Sequence, residues 1–145
     1  MAQRTIECTV TIQSSPQVVW DHLVDFERYE FWNPFIPQVT GRVEVGTPVD
    51  LYVALLRRRP FVQREWINLV QPGQTICWGT IMVHPIILTT NRWQMVRSPQ
   101  SGVTQYINRL ELSGALAPLV MFYYGDRLDR CFRLAASGLK TRCET

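Results

Sequence analysis

Few residues in this chain are of the types that do acid–base, nucleophilic or metal chemistry, so each can be weighed singly. Glu65 is the one acid in a central strand-like run. Turned inward it would be the best general-base candidate, because loss of water raises a carboxylic acid's pKa. Its run, residues 61–71, has mixed polarity on both faces, and alternation leaves open whether Glu65 or Arg64 points inward. The two histidines, His22 and His84, fall on an outward helix face and in a turn beside Pro85. Neither has a carboxylate partner in sequence to orient it as a base. Cys8, Cys77, Cys131 and Cys143 form no C-x-x-C pair and have no histidine nearby. That spacing argues against a metal site and predicts a fold supported by neither disulfide nor cofactor. No nucleophile elbow, phosphate loop or nucleophile–histidine pairing occurs.

Residues suited to binding are better represented. Trp32, Trp78 and Trp93, with Tyr123 and Tyr124, supply wide rings that fill a core or wall a pocket for flat apolar guests. In the runs 87–97 and 103–113, Arg92, Gln94, Gln105, Arg109 and Glu111 mark an outer face. Alternation then turns Asn91, Trp93, Met95, Tyr106, Asn108, Leu110 and Leu112 inward. An inward amide left unpaired costs on the order of 1–3 kcal/mol, so Asn91 and Asn108 must bond a neighbour, water or a ligand. The expected ligand-contacting set is Trp32, Trp78, Asn91, Trp93, Tyr106, Asn108, Tyr124 and Leu128. Trp32-Asn33-Pro34-Phe35 reads first as a corner between helix and strand, and second as a pocket mouth.

These side chains need a scaffold, and its outline is legible. Residues 4–13 alternate with Ile6, Cys8, Val10 and Ile12 on one side, the pattern of a half-buried strand. Ser15 and Pro16 then suit an N-cap and a first helical position. Val19, Trp20 and Leu23 give that short helix its apolar face, and Asp25 reads as the cap of a second short helix through Tyr29. Turn signals at 45–47, 59–60, 72–74, 84–85 and 99–102 separate six further strand-like runs, 36–43, 48–57, 61–71, 75–83, 87–97 and 103–113. After Gly114 the period changes. Leu116, Val120, Tyr124, Leu128, Cys131, Ala135 and Leu139 recur at helical steps, predicting an amphipathic helix of about 25 residues, or roughly 37 Å. Only the concave face of a curled sheet offers a matching apolar surface.

Composition narrows the partners. The chain has 145 residues, 46% of them hydrophobic and 19% charged, which suits one globular domain spanning 1–145. A net charge of +3 with scattered basic residues excludes a nucleic-acid footprint. The one basic cluster, Arg57-Arg58-Arg59, reads as a solvated hairpin tip before Pro60, with an anionic contact as the alternative. Residues 1–8 lack the apolar core of a secretory signal, and no stretch is apolar and long enough to span a bilayer. A cytoplasmic protein with reduced thiols is expected.

The order of these pieces resembles the START-like superfamily, in its SRPBCC or polyketide cyclase/dehydrase branch. The resemblance rests on residues 12–26 (I-Q-S-S-P-Q-V-V-W-D-H-L-V-D-F), Trp32-Asn33-Pro34-Phe35, Val45-Gly46, Pro72 with Ile76 and Trp78, Leu112-Ser113-Gly114, and Phe132 with Leu139-Lys140. It implies an α+β helix-grip fold: a seven-stranded antiparallel sheet curled around the C-terminal helix, with two short helices after the first strand. It also implies an internal cavity holding a small hydrophobic or aromatic molecule. Relatives include cyclases and co-chaperone modules, so an enzyme acting on a bound apolar substrate and a protein-interaction module are the alternatives. Fold does not choose among them. Three polar positions habitual in the branch are changed here. Residues 89–93 replace a G-x-H-x-F pattern, Leu110 stands for a glutamate and Ala136 for an asparagine, so no catalytic role carries over at these places.

Overall fold

The computed structural model describes residues 3–54, 60–82 and 84–145. Strand β1 (Gln3–Ile12) leads into helix α1 (Pro16–Val24), where the Ser15 hydroxyl accepts from the Val18 N–H and Pro16 opens the first turn. A kinked 3-10 stretch follows over Phe26–Phe31. Asp25 flanks it but makes no side-chain cap; its carboxylate takes the Arg28 guanidinium at 2.8 Å instead. The stretch is therefore tighter than the expected helix and runs two residues past Tyr29.

Six strands come next: β2 (Gln38–Gly41), β3 (Pro48–Val53), β4 (Phe61–Gln71), β5 (Thr75–Met82), β6 (Leu88–Gln100) and β7 (Val103–Ser113). They form one antiparallel sheet in the order β1-β7-β6-β5-β4-β3-β2. Consecutive hairpins make the meander, and β1 closes against β7 with Ile6 opposite Leu110 and Val10 opposite Tyr106. The Arg57-Arg58-Arg59 triplet lies outside the described residues.

The long helix α2 (Ala117–Glu144) fills the concave face. Cys131, Ala135 and Leu139 are buried as their spacing predicts, and Phe132 and Ala136 join them. Leu116, assigned to the same stripe, precedes the first turn and is 41% exposed; Ala117 is buried in its place. The close approach of α2 to the Trp32-Asn33-Pro34 corner depends on Gly138, where a Cβ would overlap the Trp32 carbonyl oxygen. This is the helix-grip architecture. Among the described residues no helix is long and apolar enough to cross a membrane.

Candidate functional site

Between the N-terminal half of α2 and the sheet lies a cavity of about 330 Å³. That is at the small end of the range for ligand sites, roughly 300–1,000 Å³. Each surrounding element contributes the residues its register turns inward. Val53 and Leu51 on β3 stand opposite Phe61 and Gln63 on β4, and Trp78 on β5 stands opposite Arg92 on β6. Val120, Tyr124, Leu128 and Phe132 come from successive turns of α2. Phe35 and Ile36 enter from the Trp32 corner, because the Asn33 side-chain oxygen accepts from both their N–H groups at 3.1 and 2.9 Å and folds that segment back.

The lining is mainly hydrocarbon and ring, with a polar group at one wall. Glu65, Thr90 and Arg92 all line the cavity. Glu65 reaches it because β4 alternates inward through Phe61, Gln63, Glu65 and Ile67 before its register shifts between Ile67 and Leu69. The irregularity moves the inward phase to Val70, opposite Ile76, and explains the mixed polarity of this strand on both sequence faces. Burial pushes the Glu65 carboxyl up to about 7, against the opposing pull of Arg92 and a hydrogen bond with the Thr90 hydroxyl.

Arg92 is only 4% exposed. Its guanidinium carbon sits 4.8, 5.3 and 5.7 Å from the ring centres of Phe132, Phe35 and Trp78. Its Nε donates to Asn108 Oδ1 at 3.0 Å. Behind it, the Tyr106 hydroxyl donates to Gln94 Oε1 at 2.6 Å. Burial raises Tyr106 to about 12, with the Arg92 charge pulling it back down, so the phenol stays protonated near neutrality. Tyr29 is raised further by the same cause, and its hydroxyl donates to the Leu23 carbonyl at 2.5 Å.

The expected site set divides. Trp78, Tyr124 and Leu128 line the cavity, while Tyr106 and Asn108 are buried just behind Arg92. Trp32 is buried outside the lining, against Tyr29 at 4.7 Å between ring centres. Asn91 and Trp93 are placed on the opposite face, contrary to the alternation argument. Asn91 Oδ1 accepts from Asn68 on an exposed part of the sheet, and Trp93 Nε1 donates to Glu111 Oε1 at 2.6 Å. Tyr123 is exposed. The seventh strand follows the expected phase, with Tyr106, Asn108, Leu110 and Leu112 inward. The sixth is inverted, because paired residues share a face and Arg92, Gln94 and Val96 oppose Leu110, Asn108 and Tyr106. Arg92, Gln94 and Thr90 were therefore missed. No local signal marked them: the register shifts between Arg97 and Gln100, so counting back across the hairpin from an inward Tyr106 lands on Arg97 and gives the inverted phase again.

The four cysteines are free thiols, and burial raises Cys77 to about 12 and Cys143 to about 11. No group of three or more metal-binding side chains forms among the described residues.

A seven-stranded antiparallel sheet gripping a long C-terminal helix defines the class: a helix-grip protein. The chain belongs to the family described as polyketide cyclase / dehydrase and lipid transport, whose match spans residues 3–144. Solved structures share the fold. The ZhuI aromatase/cyclase from Streptomyces sp. R1128 is 16% identical, with a TM-score of 0.79 over 99% of this chain and 94% of that one. A START superfamily protein from Mycobacterium smegmatis is 17% identical, with a TM-score of 0.74 over 97% of each chain. Truncated norcoclaurine synthase from Thalictrum flavum is 11% identical, with a TM-score of 0.69 over 96% of this chain and 92% of that one. No curated protein matches the chain.

Proposed function

We propose that the chain binds a small hydrophobic or aromatic molecule in the cavity between the sheet and α2. The observation that carries this reading is the lining itself: Trp78, Phe35, Tyr124, Leu128 and Phe132 enclose space that the core does not fill. Packed cores leave few voids larger than a water molecule, so about 330 Å³ beneath a helix is room kept for something. The small polar wall of Glu65, Thr90 and Arg92 fits the usual design of ligand sites, in which hydrocarbon supplies affinity and a few polar groups set orientation. The test is a thermal-shift titration with 2-methylnaphthalene. The melting temperature should rise with probe concentration, and Leu128→Trp, which fills the cavity from α2, should abolish the rise while preserving the circular-dichroism spectrum. An undiminished shift in Leu128→Trp would place binding elsewhere.

A second reading is supported by one group. A carboxyl held near neutrality inside an apolar pocket is suited to proton transfer on a bound substrate, as in an enzyme resembling the aromatase/cyclases. Glu65→Gln separates the two readings. Under simple binding it leaves function intact, whereas under proton transfer it removes turnover and retains affinity.

A further inference from the structure

The polar wall of the cavity has an imbalance. Trp78 Nε1 and Asn108 Nδ2 are buried and, among the described residues, have no hydrogen-bond acceptor. The orientation of the Asn108 and Gln94 amides is fixed by their oxygens, since Asn108 Oδ1 accepts from Arg92 and Gln94 Oε1 accepts from Tyr106. What remains free on Asn108 is its NH2 group, while that of Gln94 lies against the Tyr29 hydroxyl. Trp78 lines the cavity, while Gln94 and Asn108 stand opposite one another on β6 and β7, behind Arg92 and outside the lining. Arg92 adds a full positive charge that is nine-tenths buried or more. Asn108 engages one of its five N–H groups, and among the described residues no carboxylate lies within ion-pair distance of it. At this wall Arg92 carries a positive charge with no ion-paired carboxylate among the described residues, and behind it buried donors lack acceptors.

We infer that this end of the cavity receives a carboxylate, so that the ligand is an apolar or aromatic monocarboxylic acid with its anionic head held by Arg92. A carboxylate brings acceptor sites and a negative charge with no donors, which is what this wall lacks; an arginine fork matches its planar geometry. The rings of Phe35, Trp78 and Phe132 around the guanidinium then form walls for the acid's hydrocarbon body. Glu65 does not oppose the anion as a full charge, because burial and the incoming negative group both favour its protonated form, in which it donates. This inference rests on the binding proposed above and specifies the ligand's polar end.

A matched series tests it on the unmodified protein: 2-naphthoate, 2-methylnaphthalene and 2-naphthylmethylamine, titrated by calorimetry at constant ionic strength. The expected order places 2-naphthoate about tenfold or more ahead of the hydrocarbon, as a charge-assisted hydrogen bond would give, and the ammonium compound last. Arg92→Met should erase the advantage of the naphthoate and keep hydrocarbon binding. Equal affinity for naphthoate and methylnaphthalene would mean that water satisfies these donors, overturning the carboxylate assignment while leaving the cavity reading standing. Preference for the ammonium compound would make Glu65 the anchor and also overturn it. Failure of all three to bind would remove both the assignment and the cavity reading. The wild-type series decides the matter even where Arg92→Met does not fold.

Discussion

The two halves of α2 face the same sheet and do different things. Towards the C-terminus, Cys131, Ala135, Ala136 and Leu139 are buried and small residues let the backbone come close, with Gly138 against the Trp32 carbonyl. Towards the N-terminus, Val120, Tyr124 and Leu128 are half-buried and border the cavity. One half is packed as a core; the other stands off as a roof. The sequence marks the difference by side-chain size rather than by polarity. Short residues let the helix approach the Trp32-Asn33-Pro34 corner at one end, and the larger Val120, Tyr124 and Leu128 border the cavity at the other. Core packing and the cavity wall thus fall to separate turns of a single helix.

Substitutions can break or sharpen that contrast. The largest effect is expected at Gly138. Gly138→Leu puts a side chain where a backbone carbonyl lies, and no rotamer change relieves that, so the variant should fail to fold, as read by loss of a cooperative melt. Leu139→Ala should cost roughly 2–5 kcal/mol in denaturant unfolding, because it opens a void in the packed half. Glu65→Gln works in the other direction. The Glu65 carboxyl is raised from its ordinary value of 4.5 to about 7, so the unfolded chain releases this proton first as pH rises. The group therefore costs stability progressively between about pH 4.5 and 7, and the cost is level above that. Glu65→Gln should be more stable than wild type at pH 8 by up to about 3 kcal/mol, with the difference vanishing near pH 4. An unchanged gap across that range would show that the carboxyl is solvated. The smallest effect is expected at Leu128→Ala, below about 1.5 kcal/mol, since it enlarges a cavity that already exists. Equal losses at Leu128 and Leu139 would erase the distinction between the two halves.

The fold was legible because its signals are local. Alternation in residues 4–13, the Ser15-Pro16 helix start, the turn residues between strands and the helical period after Gly114 each lie within a few positions of one another. The site was legible only where the side chains agreed with simple polarity. Tyr124, Leu128 and Trp78 are largely apolar and line the cavity. Arg92 and Gln94 are polar and buried, and they are tolerated there because Asn108 and Tyr106, on the neighbouring strand, bond them. Reading polarity as exposure inverted the sixth strand and sent Asn91 and Trp93 to the wrong face, and the register shift between Arg97 and Gln100 kept hairpin counting from correcting it. Glu65 stayed undecided for a related reason: the register shift after Ile67 changes the strand's phase midway, and a period of two cannot describe both sides of it.

The central claim is that ligand sits beneath the N-terminal half of α2. Chemical-shift mapping of the isotope-labelled protein with 2-naphthoate tests it directly. The account predicts perturbations at Leu51, Trp78, Thr90, Tyr124 and Leu128, all cavity-lining, with Leu139 and the outer-face pair Trp93 and Asn91 unmoved. Perturbations centred on the outer face, around Trp66, which is 44% exposed, and Asn91, would contradict it.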